Sequence, residues 1–263
     1  MRAIILAAGK GSRLNGTAGN LPKCLVKIGG MTLIERQVQA LRSAGIDEIV
    51  IVIGHGADSV RDTCGAGAQY VENILYHQTN SLFSLWMTRE FLMDGFVVMN
   101  GDVLFHHQLL KNLLSFQYED ALLISPCDKT TAPLGDEEMK VRIKNGKVID
   151  ITKAMSPKKA DGENVGIVKF GPAGASVLVE KMDMLIAAGA HRDWAPRAFR
   201  EFALERPLRA VSTDGFPWIE IDYPEDYRRA VDEILPLILM DEELAEEQML
   251  AVAAMGCEMQ ARS

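Results

Sequence analysis

The sequence predicts an α/β fold built on a mixed, mostly parallel sheet with helices on its faces. Three apolar runs, at residues 3–6, 48–53 and 96–105, lack the alternation with polar residues that marks a half-exposed strand. Such runs are typical of strands buried on both faces of a parallel sheet. Residues 32–41, between the first two runs, place apolar side chains at helical spacing. A strand–helix–strand order favours parallel strands joined by a right-handed crossover.

The composition is that of an ordinary globular chain with enough residues for a full core. The chain has 263 residues, of which 48% are hydrophobic and 24% charged. A net charge of −8 argues against a protein that binds nucleic acid through its phosphates. No stretch approaches the length of a membrane span, and Met1-Arg2 leads directly into the first strand without a signal-peptide pattern. We therefore expect a cytoplasmic protein whose partners include neither nucleic acid nor a membrane.

The pattern of cysteines is also typical of a cytoplasmic protein. They are scattered and show no C-x-x-C spacing, which disfavours both a zinc site and a disulfide framework. Reduced thiols are expected at Cys24, Cys64, Cys127 and Cys257.

The first apolar run ends in a loop that suits a polyphosphate. Residues 7–13, AAGKGSR, combine small side chains and glycines with two cations. Small residues let the backbone approach phosphate oxygens, and consecutive N–H groups can then cradle them. Arg13 offers a planar fork to phosphate, and Lys23 offers a compact, mobile charge. The predicted phosphate-binding residues of the loop are Ala7, Ala8, Gly9, Gly11 and Ser12.

Other kinds of glycine-rich loop fit this segment less well. It lacks the G-K-[ST] ending of a P-loop, and Leu14 stands where a dinucleotide-binding loop has its third small residue. The second apolar run ends in Gly54-His55, which provides no acid for a ribose hydroxyl. A dinucleotide site and a purely structural glycine turn are the less favoured alternatives.

The loop and the lysine together resemble the signature of nucleotidyltransferases that join an NTP to a phosphorylated sugar or alcohol. That signature is a strand, then A-A-G-x-G-[ST]-R-L, then P-K, and here it stands as residues 7–14 and Pro22-Lys23. The resemblance covers residues 1–234 and implies a Rossmann-like fold of the nucleotide-diphospho-sugar transferase type. Residues 79–86 and 218–227 resemble bacterial choline-phosphate cytidylyltransferases, so CTP is the favoured nucleotide.

The resemblance also implies the reaction. A phosphate oxygen of the acceptor attacks the α-phosphorus of the NTP, and pyrophosphate leaves. The acceptor phosphate is already an anion at neutral pH, so no general base is needed. The obstacles are the charge on the triphosphate and the repulsion between two anions. Fixed cations and positioning can overcome both without a covalent intermediate. The expected catalytic residues are Arg13, Lys23, Asp102 and Asp222.

Two carboxylates at strand ends are candidate metal ligands. Asp102 lies within the third apolar run, and ligands of parallel α/β sheets lie beyond the carboxyl ends of strands. A turn or helix-capping role is the structural alternative for a lone Asp at such a place. The resemblance implies that Asp102 and Asp222 hold a divalent metal, Mg²⁺. Asp226 is expected on a helix surface.

A helix near residue 80 is the candidate nucleotide side of the site. It is expected to run to residue 91, with Thr79 or Asn80 as its N-cap and its apolar residues in the core. The resemblance adds that Asn80, Ser81 and Ser84 lie near the base and ribose.

The polar residues 129–163 predict a small β insertion. Residues 138–151 alternate polar and apolar on both sides of Asn145-Gly146, which is a strong hairpin signal. This hairpin is expected to flank the acceptor side of the cleft. Further helices are expected at residues 57–64, 173–188 and 199–204, and further strands at residues 68–73, 121–125, 162–170, 208–211 and 218–222.

Aromatic residues indicate the acceptor pocket. A trimethylammonium group cannot donate a hydrogen bond and is bound by aromatic faces. The resemblance implies that Trp194 and Trp218 lie where the acceptor pocket forms, with Asp193 as a carboxylate nearby, although either tryptophan could equally fill the core. The resemblance implies that Glu163 also touches the acceptor.

The sequence therefore predicts CMP transfer to phosphocholine or to a close amino-alcohol phosphate or phosphonate. A hexose 1-phosphate or inositol-phosphate acceptor is the alternative within the enzyme class, but the sequence around Trp194 offers few groups for sugar hydroxyls. A non-catalytic sugar-nucleotide-binding module on the same fold is the alternative from another class. Such a module could lose a carboxylate or the lysine, whereas this chain keeps Lys23, Asp102 and Asp222.

Residues 236–263 form a predicted helical extension beyond a catalytic domain of residues 1–235. Leu237, Met240 and Leu244 give the extension an apolar face. Acidic residues beside this face argue against membrane binding. We expect the extension to pack on the body of the protein or on a second subunit, which would make a homodimer.

Overall fold

The computed structural model describes residues 1–14, 21–127 and 134–241. Leu244 and the rest of the extension beyond Asp241 lie outside these ranges, as do residues 128–133 of the polar insertion. The described strands are β1 (Arg2–Leu6), β2 (Lys27–Ile28), β3 (Met31–Thr32), β4 (Ile49–Ile53), β5 (Gln69–Glu72), β6 (Phe96–Asn100), β7 (Val103–Phe105), β8 (Ala121–Pro126), β9 (Lys140–Lys144), β10 (Lys147–Thr152), β11 (Gly162–Phe170), β12 (Arg209–Ser212) and β13 (Trp218–Glu220). The described α-helices are α1 (Leu33–Ser43), α2 (Ala57–Cys64), α3 (Ser81–Met87), α4 (His107–Ser115), α5 (Pro172–Ala187), α6 (Pro196–Glu205) and α7 (Pro224–Arg229).

Nine of the described strands form one mixed sheet, in the order β5-β4-β1-β6-β11-β8-β12-β10-β9. All of them run in one direction except β10 and β11. Apolar clusters cover both faces of the sheet, one beneath α3, α5 and α6 and the other beneath α1, α2 and α4. The predicted α/β fold is confirmed. No helix in the described ranges has both the length and the apolar character that crossing a bilayer requires.

The central strands form where the apolar runs predict them. Ala3 of β1 pairs with Ile49 of β4 on one side and with Val97 of β6 on the other, both in parallel. The helix between β1 and β4 begins at a capping box. Thr32 Oγ1 accepts from Glu35 N at 3.2 Å, and Glu35 Oε2 accepts from Thr32 N at 2.8 Å.

The third apolar run is broken, which corrects the prediction of a single strand over residues 96–105. β6 ends at Asn100, and β7 begins after Gly101 and Asp102. Gly101 N donates to Leu6 O at 3.0 Å, and a Cβ on Gly101 would lie 2.9 Å from that oxygen. The chain leaves the sheet where β1 ends, at Leu6, and the close approach to β1 at this point requires a glycine at position 101. Asp102 therefore points away from the core and towards the loop that follows β1.

The Asn-Gly hairpin is confirmed. Asn145 and Gly146 have φ values of 53° and 70°, as a two-residue turn between β9 and β10 requires. The hairpin belongs to the main sheet, because β10 pairs with β12 and β9 pairs with β11. Residues 140–152 therefore form part of the main sheet.

The last two strands lie in different sheets, and they do not pair with each other. β12 runs parallel to β8 in the main sheet, whereas β13 pairs with β7 in a separate two-stranded sheet. Ile221 N, just after β13, donates to Asp102 O at 3.0 Å. This pairing brings residues 220–222 beside the break after β6.

The helix that starts with α7 continues through a π-helical turn, Ala230–Ile234, to Asp241. Leu235 and Ile238 are buried in a cluster that includes Val26. Leu237 and Met240 are 50% and 58% exposed. Residues 236–241 thus continue the helix and pack on the body through Ile238, while the predicted apolar face of Leu237 and Met240 points outward.

Candidate active site

A cleft of about 320 Å³ opens at the carboxyl ends of β1 and β6. The loop after β1, the N-terminal turn of α3 and the segment after β13 line it on three sides. The fourth side carries Glu137 and Lys153 from the segments that flank the β9–β10 hairpin, together with Trp194. This is the position expected for a ligand of an open, parallel α/β sheet.

The glycine loop contributes its backbone to the cleft. Ala8, Gly9 and Gly11 line the cleft, whereas Ala7 is buried behind them and its N donates to Val52 O at 2.9 Å. Gly11 has a φ of 64°, and a Cβ there would lie 2.9 Å from Lys23 Cβ. A glycine at position 11 therefore lets the Lys23 segment pack directly against the loop. The Ser12 side chain is not among those that the structure describes.

Lys23 joins the two predicted metal carboxylates. Its Nζ donates to Asp102 Oδ2 at 2.7 Å and makes a short ion pair with Asp222 Oδ1. Burial alone would lower the pKa of Lys23, but the charges of Asp102 and Asp222 outweigh it and raise the pKa above its ordinary range. Lys23 is thus a permanent cation placed between two carboxylates.

Glu220 is a third carboxylate at this point. Oxygens of Asp102, Glu220 and Asp222 lie within 4.8 Å of one another. Burial, followed by the charges of Asp102 and Asp222, raises the pKa of Glu220 to about 8. Glu220 was not among the residues predicted from the sequence, although alternation along an extended chain places residues 220 and 222 on one side.

These carboxylates fit a divalent cation. Asp102 Oδ1 is buried and accepts no hydrogen bond from the described residues. Carboxylate oxygens are the protein ligands that Mg²⁺ prefers. A buried oxygen without a donor beside two further carboxylates can be satisfied by a metal ion. Asp102, Glu220 and Asp222 could therefore hold Mg²⁺.

Two neighbouring side chains hold the same region in place. Arg13 Nη1 lies 3.4 Å from Asp222 Oδ2 and 3.6 Å from Glu137 Oε2, so Arg13 bridges two walls of the cleft. Asp226 Oδ2 accepts from Asp222 N at 3.0 Å and from Tyr223 N at 2.8 Å. Asp226 therefore fixes the turn that presents Asp222, which is more than the helix-surface position expected for it.

The predicted nucleotide-side residues line the cleft and also hold α3. Asn80 caps the helix, with Oδ1 accepting from Ser81 N at 2.8 Å. Ser81 Oγ accepts from Ala195 N at 2.9 Å, and buried Ser84 Oγ accepts from Asn73 Nδ2 at 3.0 Å. The capping interpretation of Asn80 is confirmed by these bonds.

α3 is shorter than predicted. It ends at Met87 and is followed by a separate turn, Arg89–Phe91. Thr88 Oγ1 donates to Leu85 O at 2.6 Å, and a hydroxyl bonded to the backbone in this way competes with the helical hydrogen bond.

The two tryptophans, which the sequence ranks equally, have different places. Trp194 lines the cleft and is 47% exposed, with Lys153 Nζ 5.1 Å from its ring centroid. Trp218 pairs with Phe105 across β13 and β7 and packs on the core cluster beneath α4, away from the cleft lining of the described residues. Trp218 therefore has the core-filling role.

The two remaining acceptor candidates are the carboxylates of Asp193 and Glu163. Asp193 forms an ion pair with Arg197 and lines an adjoining cavity of about 270 Å³ that shares Trp194 with the cleft. Glu163 lies on β11 opposite Lys140. Burial and the charge of Glu138 raise the pKa of Glu163 to about 7. Neither carboxylate is among the residues that line the main cleft.

Comparison with known proteins agrees with this geometry. Residues 3–135 match the MobA-like NTP transferase domain. The chain is 28% identical to choline-phosphate cytidylyltransferase of Streptococcus pneumoniae, over 89% of this chain and 98% of the relative. It is 29% identical, over 97% of its length, to the bifunctional IPC transferase and DIPP synthase of Rubrobacter xylanophilus, of which it spans about half (53%).

A solved structure shows the same similarity. The CTP:phosphocholine cytidylyltransferase of Streptococcus pneumoniae superposes with a TM-score of 0.73 at 26% identity, covering 89% of this chain and 98% of that one. The resemblance stated from the loop signature is thereby confirmed, and with it the nucleotide-diphospho-sugar transferase type of fold.

Proposed function

We propose that this chain, which belongs to the MobA-like NTP transferase family, transfers CMP from CTP to a phosphorylated small alcohol such as phosphocholine and releases pyrophosphate. The observation that carries the proposal is the group of Lys23, Asp102, Glu220 and Asp222 facing the glycine loop at the carboxyl ends of β1 and β6. Such a group places cations and metal ligands where a triphosphate would meet a second anion.

In this proposal each group of site residues has a separate role in the reaction. Backbone N–H groups of the loop at Ala8, Gly9 and Gly11 would bind phosphate oxygens, with Arg13 at the outer end. A Mg²⁺ held by Asp102, Glu220 and Asp222 would offset charge on the triphosphate. Lys23 would offset the charge that gathers as the acceptor phosphate approaches the α-phosphate.

Bond making and breaking need no protein base. An oxygen of the acceptor phosphate forms a bond to the α-phosphorus. The bond between the α-phosphorus and the oxygen that bridges the α- and β-phosphates breaks. Pyrophosphate leaves with the electron pair. Because the attacking oxygen is already anionic, no proton has to move, and the cleft needs no titrating base. Catalysis then rests on positioning and charge.

The acceptor is assigned from the wall opposite the loop. Trp194 exposes part of its ring there, and the carboxylate of Asp193 lines the adjoining cavity that shares Trp194 with the cleft. Aromatic faces and carboxylates suit an ammonium group. A hexose 1-phosphate or an inositol phosphate is the second candidate acceptor within the enzyme class.

A matrix of NTPs against acceptor phosphates, read by pyrophosphate release, tests the proposal. CTP with phosphocholine, or with a close amino-alcohol phosphate or phosphonate, is expected to give the highest turnover. A preference for a hexose 1-phosphate would replace the acceptor and keep nucleotidyl transfer. Absence of pyrophosphate with every acceptor, in a protein that still binds CTP by calorimetry, would favour the non-catalytic nucleotide-binding module.

Substitution of Trp194 tests the acceptor wall. Trp194→Ala is expected to raise KM for an amine-bearing acceptor roughly 2- to 30-fold, because one cation–π contact contributes about 0.5–2 kcal/mol. KM for CTP should stay nearly unchanged. Trp218→Phe is the matched control, since Trp218 lies outside the described cleft lining. Equal acceptor KM values for Trp194→Ala and wild type would remove Trp194 from the acceptor site.

The outward face of the C-terminal helix gives a prediction on assembly. We propose that Leu237 and Met240 contact a second subunit. The double variant Leu237→Glu/Met240→Glu is expected to convert a dimer to a monomer in sedimentation velocity, since both side chains are half exposed in one subunit. Leu235 and Ile238 are left intact because they hold the helix on the body.

Leu204→Glu, on α6, is the control for this double variant, because Leu204 is 72% exposed elsewhere on the surface. A wild-type chain that sediments as a monomer, or a double variant that stays dimeric, would show that this face does not join subunits.

A further inference from the structure

Lys140, on β9, is a fully buried lysine. Its Nζ donates to the carbonyl oxygens of Lys153 at 2.9 Å, Glu138 at 3.2 Å and Asp136 at 3.4 Å. An ammonium has three donors, and here each has an acceptor. The charge is therefore buried with its hydrogen bonds satisfied.

Burying this ammonium is costly for folding. Removing a charge from water costs several kcal/mol even after relaxation, and a well-packed apolar side chain of similar volume avoids that cost. The hydrogen bonds of the ammonium fix the positions of the backbone segments relative to one another.

Those segments come from two places in the chain and meet at the cleft. Asp136 and Glu138 flank Glu137, so the backbone on both sides of Glu137 is held by the same ammonium. Lys153 follows β10, and its own carbonyl receives the shortest of the three bonds. The side chains of Glu137 and Lys153 both line the cleft and lie 3.6 Å apart.

These two side chains connect the wall to the rest of the site. Glu137 Oε2 is 3.6 Å from Arg13, and Lys153 Nζ lies 5.1 Å from the Trp194 ring centroid. A shift of the backbone at Glu137 or Lys153 would therefore move the groups that face an acceptor. Lys140 has no exposed surface, and its hydrogen bonds reach the cleft wall through the backbone of these segments.

We propose that Lys140 is a positioning residue that holds Glu137 and Lys153 in the acceptor wall of the cleft by clamping their backbone segments. The assignment rests on the proposed function, because it takes this wall as the acceptor side. Lys140 acts on catalysis through Glu137 and Lys153 and has no contact with the reacting atoms.

The test uses the full-length chain with Lys140→Met, which keeps the approximate length of the side chain and removes its donors. Lys144→Met is the matched control, since Lys144 is exposed on the same strand. Amide hydrogen exchange is measured over residues 134–139 and 152–155. KM is measured for CTP and for the acceptor that wild type uses fastest in the matrix above. If Lys140→Met does not fold, Lys140→Gln, which keeps amide donors without the charge, takes its place.

We expect faster exchange in both segments of Lys140→Met and unchanged exchange in Lys144→Met. KM for the acceptor should rise about tenfold, because a small misplacement of a positioning group is costly, while KM for CTP stays within about twofold. Unchanged exchange in the two segments would overturn the proposal. Parallel rises in both KM values would also overturn it, because they would show a general loss of structure.

A double-variant cycle identifies the route of the effect. If Lys140 acts through Lys153, Lys140→Met should add little to the acceptor KM of Lys153→Ala. Full additivity of the two substitutions would contradict this route. If wild type transfers CMP to no acceptor, the proposed function fails, and the exchange measurement still decides whether Lys140 fixes the two segments.

Discussion

Asn in place of either Asp102 or Asp222 is expected to reduce turnover by at least ~10²-fold, about 2.7 kcal/mol, in a protein that stays folded. Each substitution keeps the shape of the side chain and removes one negative charge from the group that includes Glu220. Fewer charges lower the affinity for Mg²⁺ and leave the triphosphate less well neutralised. The fold should be retained, because removing one carboxylate also relieves its repulsion of Glu220.

Steady-state turnover, Mg²⁺ titration by calorimetry and thermal unfolding check this expectation together. Glu225→Gln is the matched control, since Glu225 is an exposed carboxylate near Asp222 whose partner is Arg228. Glu220→Gln should weaken Mg²⁺ binding in the same direction. A folded Asp222→Asn protein with near-normal turnover would remove Asp222 from the metal site.

Short-range signals in the sequence predicted most of the elements. The apolar runs that became β1 and β4, the Thr32–Glu35 capping box and the Asn145-Gly146 turn depend on residues close together in the chain. Periodicity and turn chemistry carry that information locally. For most of these elements, the predicted boundaries therefore lie within a few residues of the boundaries in the structure.

Features that depend on distant residues were not predictable in the same way. The break at Gly101 lies where the neighbouring strand β1 ends, at Leu6, whose carbonyl accepts from Gly101 N. β12 and β13 have similar apolar patterns, yet they join different sheets because their partners are β8 and β7. Pairing partners are a property of the whole fold, and no window of sequence contains them.

In the candidate site, too, some residues were predictable from the sequence and others depend on the whole fold. The loop signature indicated Lys23, and the family resemblance indicated Asp102 and Asp222, and the structure brings these three side chains together. Glu220 was overlooked because a single Glu in a strand resembles a solvent-facing residue. Trp194 and Trp218 could not be separated by sequence, since exposure depends on what packs over each ring.

Lys23→Ala is expected to lower kcat by about 10²-fold, the cost typical of removing one donor that stabilises transition-state charge. The ammonium is a permanent cation, because Asp102 and Asp222 keep the pKa of Lys23 raised despite its burial. Its charge matters most when the acceptor phosphate and the α-phosphate are closest. KM for CTP should therefore rise by less than kcat falls.

Lys10→Ala separates this effect from a general loss of positive charge near the loop, because Lys10 is an exposed lysine of the same segment. It should leave kcat close to wild type. Lys23→Met adds a second comparison, since it keeps the stem that packs against Gly11 and removes only the charge. If Lys23→Ala and Lys23→Met raise KM for CTP and leave kcat unchanged, Lys23 anchors the nucleotide in the ground state. If both lower kcat to the same extent, the ammonium itself, and not the packing of its stem, stabilises the transition state.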